Sequence, residues 1–280
     1  MASGLNILTK APIAHDAEHA ALVAACEPEV ALCTIVGIEG SFSRRLGAQL
    51  AVHPDGSTTG SLADGCLERQ LAADVKAATG PVVKRYGRGS PVIDFRLPCG
   101  GGLDILVDPQ PDRQACRSAA KALDERRSAT LDLPETDLLR ARRFIPALRI
   151  AAFGEGPEIE AVATIARAAN VEIDTNGSVA DLQALDRYSA IVLLFHDHER
   201  EPDILGQALA SQAFYIGAQG GENARNARAM QLLRDGVAEE QLARIRGPIG
   251  SIAACRTPQT LALSVLCEIA GAYEKLQPHR

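Results

Sequence analysis

Apolar runs alternate with amphipathic segments along this chain. Residues 30–37 (VALCTIVG) are apolar and β-branched, which predicts a buried strand. Before them, residues 15–26 (HDAEHAALVAAC) carry the periodicity of an amphipathic helix. After them, two strand-like pieces flank the turn signal Pro54-Asp55-Gly56. Gly65 and Cys66 open a second helical stretch, LERQLAADVKAA, which Gly80 and Pro81 bring to an end. Residues 81–86 and 103–107 predict further strands, with the run Pro-Cys-Gly-Gly-Gly at 98–102 between them. Residues 111–127 read as a helix.

Residues 126–143 are polar, charged and interrupted by Pro134, so they read as an irregular linker or an edge hairpin. Beyond Ala147 the pattern becomes strand, helix, strand. Residues 147–153 form a buried strand and GPEIEAVATIARAA a helix. Short strands follow at 171–174, 190–195 and 213–217, with helices near 200–210 and 222–234. Residues 257–275 close the pattern as a helix with Thr257 as N-cap and Pro258 at its first position. Strands alternating with helices predict a parallel sheet. The fold class is therefore α/β: a mixed α/β N-terminal domain over 1–128, a linker over 129–146, and a Rossmann-like parallel-sheet domain over 147–280.

Composition narrows the function classes. The 280 residues are 46% hydrophobic and 23% charged, a globular balance, with aromatics at only 4%. The core must rest on Ala, Val, Leu and Ile. A net charge of −6 opposes binding to nucleic acid or an anionic membrane. No apolar stretch reaches membrane-spanning length, and the first residues lack a signal-peptide pattern. The seven cysteines are odd in number and widely spaced, with no CxxC. That argues against a disulfide framework or a structural zinc site and predicts reduced thiols in a cytoplasm.

Four loops carry candidate chemistry. Residues 40–47 (GSFSRRLG) combine Ser41, Arg44 and flexible backbone, suited to a phosphate or carboxylate. An exposed hairpin loop has the same composition. Cys66, preceded by Asp64 and Gly65, is placed at a helix N-terminus, where the dipole favours a thiolate. A buried structural cysteine is the alternative. Cys99 precedes Gly100, Gly101 and Gly102, whose amides can converge on an anion. A plain glycine turn is the alternative there. The fourth group follows the Rossmann strands: His196-Asp197-His198, and the run 217–221 with Arg225 and Arg228 in the next helix.

The first Rossmann turn reads Gly154-Glu155-Gly156-Pro157-Glu158-Ile159. Glycines stand at the first and third positions of a dinucleotide fingerprint, but Ile159 takes the sixth. Asp174 ends the next strand, where a ribose-binding acid belongs. Gly154, Gly156 and Asp174 are thus candidates for NAD(P). Glu155, Glu158 and Glu160 crowd the place of a pyrophosphate and oppose that reading.

At these loops the sequence resembles the XdhC/CoxI family of accessory factors for molybdenum hydroxylases. The resemblance runs from about residue 31 to 269. It rests on the order of TIVGIEGSFSRRLGAQLAV, GSLADGCLE, CGGGLDILV, LLFHDH, YIGAQGG, RIRGPIG and TPQTLALSVLCEI. Asp64, Gly221-Glu222-Asn223, Ser251, Ala254 and Gln259-Thr260 depart from the family pattern.

The resemblance implies a chaperone that binds the molybdenum cofactor (molybdopterin), supports its sulfuration and inserts it into an apo molybdenum hydroxylase. It implies an accessory protein rather than an enzyme, with molybdenum held only through the pterin. Cys66 and Cys99 would contact the cofactor between the domains. Ser41, Arg44, Gly65 and Gly100–Gly102 would help hold it. A cysteine desulfurase is the further partner expected, and a homodimer the expected assembly. An NAD(P)-dependent oxidoreductase and a pure docking scaffold remain the competing readings.

Overall fold

The structure is a computed structural model that describes residues 17–62, 65–91, 100–134 and 136–279. The chain divides into two compact units, residues 1–145 with 278–280, and residues 146–277.

The first unit runs α1 (Ala17–Ala24), β1 (Ala31–Glu39), β2 (Gln49–Val52), β3 (Thr58–Gly60), α2 (Gly65–Ala77), β4 (Val82–Gly87), β5 (Gly102–Asp108), α3 (Arg113–Asp124), β6 (Ala129–Asp132) and β7 (Ala141–Phe144). Five of these strands form one sheet in the order β3-β2-β1-β5-β4, every pair antiparallel. Both faces of the sheet are covered. Alternation along β1 sends Ala31, Cys33 and Ile35 to one face, where Leu67 and Leu71 of α2 meet them. Leu32 goes to the other face, against Leu22 of α1 and Cys116 and Leu123 of α3. The segment at 126–143 folds as an antiparallel hairpin, β6 with β7, and Leu131 and Phe144 join that second face.

Asp112 caps α3 by accepting from the amides of Gln114 and Ala115 at 2.9 and 3.0 Å. A bulge breaks the β1–β5 register between Ile35 and Gly37. Gly37 has no room for a side chain, because a Cβ there would lie 2.6 Å from Asp104 Oδ2.

The second unit runs β8 (Arg149–Gly154), α4 (Pro157–Ala168), β9 (Glu172–Asp174), β10 (Ser189–Leu194), α5 (Glu201–Ala210), β11 (Tyr215–Ala218), α6 (Glu222–Arg234), α7 (Glu239–Leu242), β12 (Ile245–Arg246) and α8 (Pro258–Glu274). Its sheet has the order β12-β11-β10-β8-β9 and is parallel throughout. The three central strands, β8, β10 and β11, are apolar on both faces, as parallel strands between helices must be, while the edge strands β9 and β12 carry Glu172, Asp174 and Arg246. Ile191, Leu193 and Ile216 face Leu205 and Ala208 of α5, while Ile150, Val192 and Leu194 face Val162 of α4 and Val265 and Ile269 of α8. Thr257 caps α8 through the amide of Thr260 at 3.1 Å, with Pro258 at the first helical position. The α/β class and the Rossmann-like parallel sheet are therefore as the residue pattern predicts. β12 and α7 are additions to that pattern.

Candidate functional site

Antiparallel pairing gathers three of the candidate loops at one end of the N-terminal sheet. Glu39, the last residue of β1, pairs with Gly102, the first residue of β5. Gly40, just after β1, therefore lies beside Gly101, just before β5. A Cβ on Gly40 would lie 3.6 Å from the Cα of Gly101, and Gly40 has φ +85°. On the other side, Arg44 ties the same loop to the end of β3. Its Nε donates to the carbonyl of Ser61 at 3.1 Å and its Nη2 to the Ser61 hydroxyl at 3.2 Å. Ser61 begins the short connection that leads into Gly65 and Cys66 at the start of α2.

Cys66 stands exposed in the first turn of α2, and Arg69 Nη2 donates to its Sγ at 3.3 Å. A guanidinium and the positive end of a helix thus meet at the sulfur. Two other thiols are chemically different. Cys33 and Cys116 are buried in the core, and burial pushes their thiols up to about 12 and about 11. Burial also raises the Cys26 thiol. Asp64 and Cys99 lie outside the described residues.

The remaining predicted contacts divide by exposure. Ser41, Arg44, Gly65 and Gly100 are exposed, and Gly101 and Gly102 are buried. Gly100 has φ +69° and open space where a Cβ would project. Gly102 is packed: a Cβ there would run into the Arg85 guanidinium and come within 2.7 Å of the Arg88 carbonyl.

Arg85 belongs to an ionic cluster that residue spacing does not reveal. Its Nη1 donates to Asp104 Oδ2 at 2.8 Å, its Nη2 pairs with Glu39, and its Nε donates to the Arg88 carbonyl at 2.8 Å. The amide of Arg88 donates to the Gly101 carbonyl at 2.9 Å, so the cluster fixes the glycine run from beneath. No signal in the sequence marks it, because Glu39, Asp104 and Arg85 meet only once β1, β5 and β4 are placed side by side.

Beside this cluster, Gln70 and Asp74 of α2, 83–86 of β4, Ser90 and Pro91 line a groove of about 420 Å³. Burial works against ionisation of Asp74, but hydrogen bonds from Lys84 Nζ and the Tyr86 hydroxyl, both at 2.6 Å, hold its carboxyl below the ordinary value. A second groove, about 520 Å³, lies on the other flank of α2 and is lined by Gly65, Arg69, Lys76, Ser57 and Thr58 among others.

In the second unit the strand order reverses between β8 and β10, the switch point where Rossmann sheets take ligands. Gly154 sits there against β10, with a hypothetical Cβ 2.8 Å from the carbonyl carbon of Leu194. Gly156 has φ +82° and is the N-cap residue of α4. The acids of this turn have local partners: Glu155 pairs with Arg200, and Glu158 lies 3.3 Å from His196 Nε2. Asp174 is exposed and accepts from the Asn176 amide at 2.9 Å.

The three side chains of the His-Asp-His segment turn to separate partners. His196 turns to Glu158, Asp197 caps the following 3-10 turn through the Glu199 amide at 3.1 Å, and His198 Nδ1 lies 3.0 Å from Glu201 Oε1. Among the described residues no group of three His, Cys, Asp or Glu side chains forms a metal site. No helix among them is long and apolar enough to cross a membrane.

An antiparallel α/β unit with a thiol-bearing loop cluster, joined to a parallel Rossmann sheet with a partial glycine turn, defines a distinct class of two-part protein. Residues 24–87 match the model of the XdhC and CoxI family, and residues 150–269 match that of the XdhC Rossmann domain. The chain is 32% identical to the molybdenum cofactor insertion chaperone PaoD of Escherichia coli (strain K12), over 86% of this chain and 82% of that one. It is 26% identical to the uncharacterized protein YqeB of the same organism, over 85% of this chain and 42% of that one. Its fold matches a Bacillus halodurans crystal structure described as a xanthine dehydrogenase, with TM-score 0.70 and 18% identity over 92% of this chain and 96% of that one. The chain belongs to the XdhC/CoxI family.

Proposed function

We propose that this protein is a molybdenum cofactor insertion chaperone whose cofactor site is the loop cluster at the end of the N-terminal sheet. The observation that carries the reading is the exposed Cys66 thiol, with Arg69 donating to its sulfur, beside loops that Arg44 and Gly40 hold together. The relationship to PaoD supports it.

The donor set suits such a ligand. A molybdenum centre bearing sulfur favours a soft thiol, and a pterin phosphate favours guanidinium and backbone amides. Cys66 would contact the metal end. Ser41, Gly65 and the open backbone at Gly100 would hold the phosphate end. Arg44 acts by ordering the loop, since its Nε, Nη1 and Nη2 already donate to Ser61 and Ser43. Gly101 and Gly102, buried over the Arg85 cluster, would set the shape of the floor. Cys99 would be the second sulfur.

When bound, the cofactor supplies the redox-active molybdenum centre of the client enzyme. This chain's part is to bind it, shield it and release it. We take the client to be an apo molybdenum hydroxylase, with a cysteine desulfurase supplying sulfur and the chaperone acting in the cytoplasm as a homodimer. The Rossmann half would serve docking in this scheme. A role as an NAD(P)-dependent oxidoreductase draws on Gly154, Gly156 and Asp174, but the paired acids of that turn oppose a pyrophosphate.

The experiment is retention of molybdenum cofactor by the purified protein, followed by activation of apo-hydroxylase. Cys66→Ser should lower both by about tenfold, a loss near 1.4 kcal/mol. Retention and transfer as good as wild type in Cys66→Ser and Cys99→Ser together would overturn the assignment.

A further inference from the structure

The Rossmann unit contains a buried arginine whose third corner is left over. Arg228 of α6 is 3% exposed at its side chain. Its Nε donates to Glu201 Oε2 at 2.7 Å, and its Nη2 to the Gln219 carbonyl at 2.7 Å. Its Nη1 has no hydrogen-bond partner among the described residues. Burying an unsatisfied donor is unfavourable, so such a group calls for an acceptor.

Arg228 lines a cavity of about 240 Å³ between α6, α7 and β12. The cavity is smaller than the roughly 300–1,000 Å³ of sites for drug-sized ligands. Nη1 lies on the side of Gly247, another lining residue: a Cβ there would be 3.5 Å from Nη1. The walls include Leu232, Leu242 and Ile245. At the same cavity stands Arg225, exposed and without an ion pair among the described residues. Glu239 is the lining carboxylate and is exposed.

From this we infer that the cavity under α6 binds a small organic monocarboxylate with an apolar body, its carboxylate taken by Arg228 Nη1 and Arg225. Glu201 already balances one positive charge of the pair of arginines, and Glu239 stands nearby. One net positive charge at most is left, which matches a monoanion better than a phosphate dianion. The apolar walls supply the rest of the recognition. This site belongs to the second unit and the cysteine loops to the first, so it stands or falls independently of the cofactor reading.

Benzoate is the probe, with benzyl alcohol as its neutral counterpart and inorganic phosphate as the hydrophilic anion. Titration of the full-length protein is followed by calorimetry and by amide NMR shifts. Benzoate should bind saturably and shift the amides of Ala229 and Gly247, with benzyl alcohol at least about tenfold weaker. Gly247→Ala places a methyl group in ordinary van der Waals contact with Nη1, so it should abolish binding while preserving the fold. Arg225→Ala should weaken benzoate about tenfold, whatever becomes of the more deeply buried Arg228 when substituted. Absence of saturation overturns the proposal. So does binding that is equal for benzyl alcohol, tighter for phosphate, or unchanged in both Gly247→Ala and Arg225→Ala.

Discussion

Arg44 reaches across 17 residues of sequence to hold both the carbonyl and the hydroxyl of Ser61. This contact joins the loop after β1 to the connection that leads into Cys66. Arg44 is exposed, so its removal should leave global stability nearly unchanged, within about 0.5 kcal/mol. Loop order should suffer instead. Arg44→Ala should weaken cofactor retention about fivefold, the equivalent of one lost hydrogen bond near 1 kcal/mol. Arg44→Lys should not restore it, because an ammonium cannot serve the two Ser61 oxygens with a planar fork. Retention assays and urea unfolding on the same variants separate the two effects.

Gly102 and Gly100 stand two residues apart and should respond differently to alanine. At Gly102 the new methyl group meets the Arg85 guanidinium and lies 2.7 Å from the Arg88 carbonyl, which is backbone and cannot swing aside. Gly102→Ala should therefore cost about 2–3 kcal/mol through overpacking. At Gly100 the methyl group enters open space, and only the φ of +69° opposes it. Gly100→Ala should cost about 1 kcal/mol. Urea midpoints of the two variants check the order, and a larger loss at Gly100 would contradict the packing argument.

The contrast between these glycines also shows where residue pattern stops being informative. The helix that begins at Cys66 was legible because Leu67 and Leu71 recur at helical spacing, and the strand at 31–39 because of its β-branched run. Thr257 and Pro258 announced α8 by their capping chemistry. By contrast, β12 has two residues and α7 four, too short for any periodicity. The cluster of Glu39, Arg85 and Asp104 was invisible, because those residues meet only through the order β1-β5-β4. Gly102 looked like part of an anion nest for the same reason, since its packing partner comes from another strand. The sequence places Cys66 at a helix start, but nothing in it shows that the Arg69 side chain reaches the sulfur.

Thiol chemistry tests the surroundings of Cys66 without any cofactor. Iodoacetate and iodoacetamide differ in charge, and Arg69 lies 3.3 Å from the sulfur. The ratio of their alkylation rates at Cys66 should fall about threefold in Arg69→Ala, because a local cation attracts the anionic reagent. The exposed Cys267 should show no such change. Cys33 and Cys116 should stay unlabelled until the protein is unfolded, as burial and their raised thiols require. Peptide mass spectrometry over a time course reads all four sites at once. An unchanged ratio at Cys66 would mean that the guanidinium leaves the sulfur in solution.

The nucleotide question has an equally direct answer. Glu155, just before the N-cap of α4, and Glu158, in its first turn, have Arg200 and His196 as partners. NADH and NADPH should give no calorimetric signal at micromolar strength, about −8 kcal/mol. Glu155→Gln with Glu158→Gln should raise any residual affinity by removing like charge from the pyrophosphate position. Micromolar binding by the wild-type protein would return the oxidoreductase reading to contention.

The C-terminal residues give the first unit a pH-dependent attachment. His279 is nearly buried, and its Nε2 accepts the Arg143 amide at 2.9 Å. Its imidazole packs against Gly47, where a Cβ would approach Cδ2 to 3.4 Å. Burial, reinforced by Arg142, Arg143 and Arg45, lowers its pKa from the ordinary 6.5 to about 4. The folded state thus favours the neutral ring. A histidine lowered on folding contributes its full stability above about pH 6.5 and loses it as the pH falls towards 4. Over that window the wild-type protein should lose about 2 kcal/mol more than His279→Gln, whose amide oxygen can accept the same hydrogen bond and never titrates. Paired urea unfolding curves at several pH values isolate this difference from the carboxylates, which titrate alike in both proteins. Parallel pH profiles for the two proteins would show that protonation of His279 does not govern the docking of the tail.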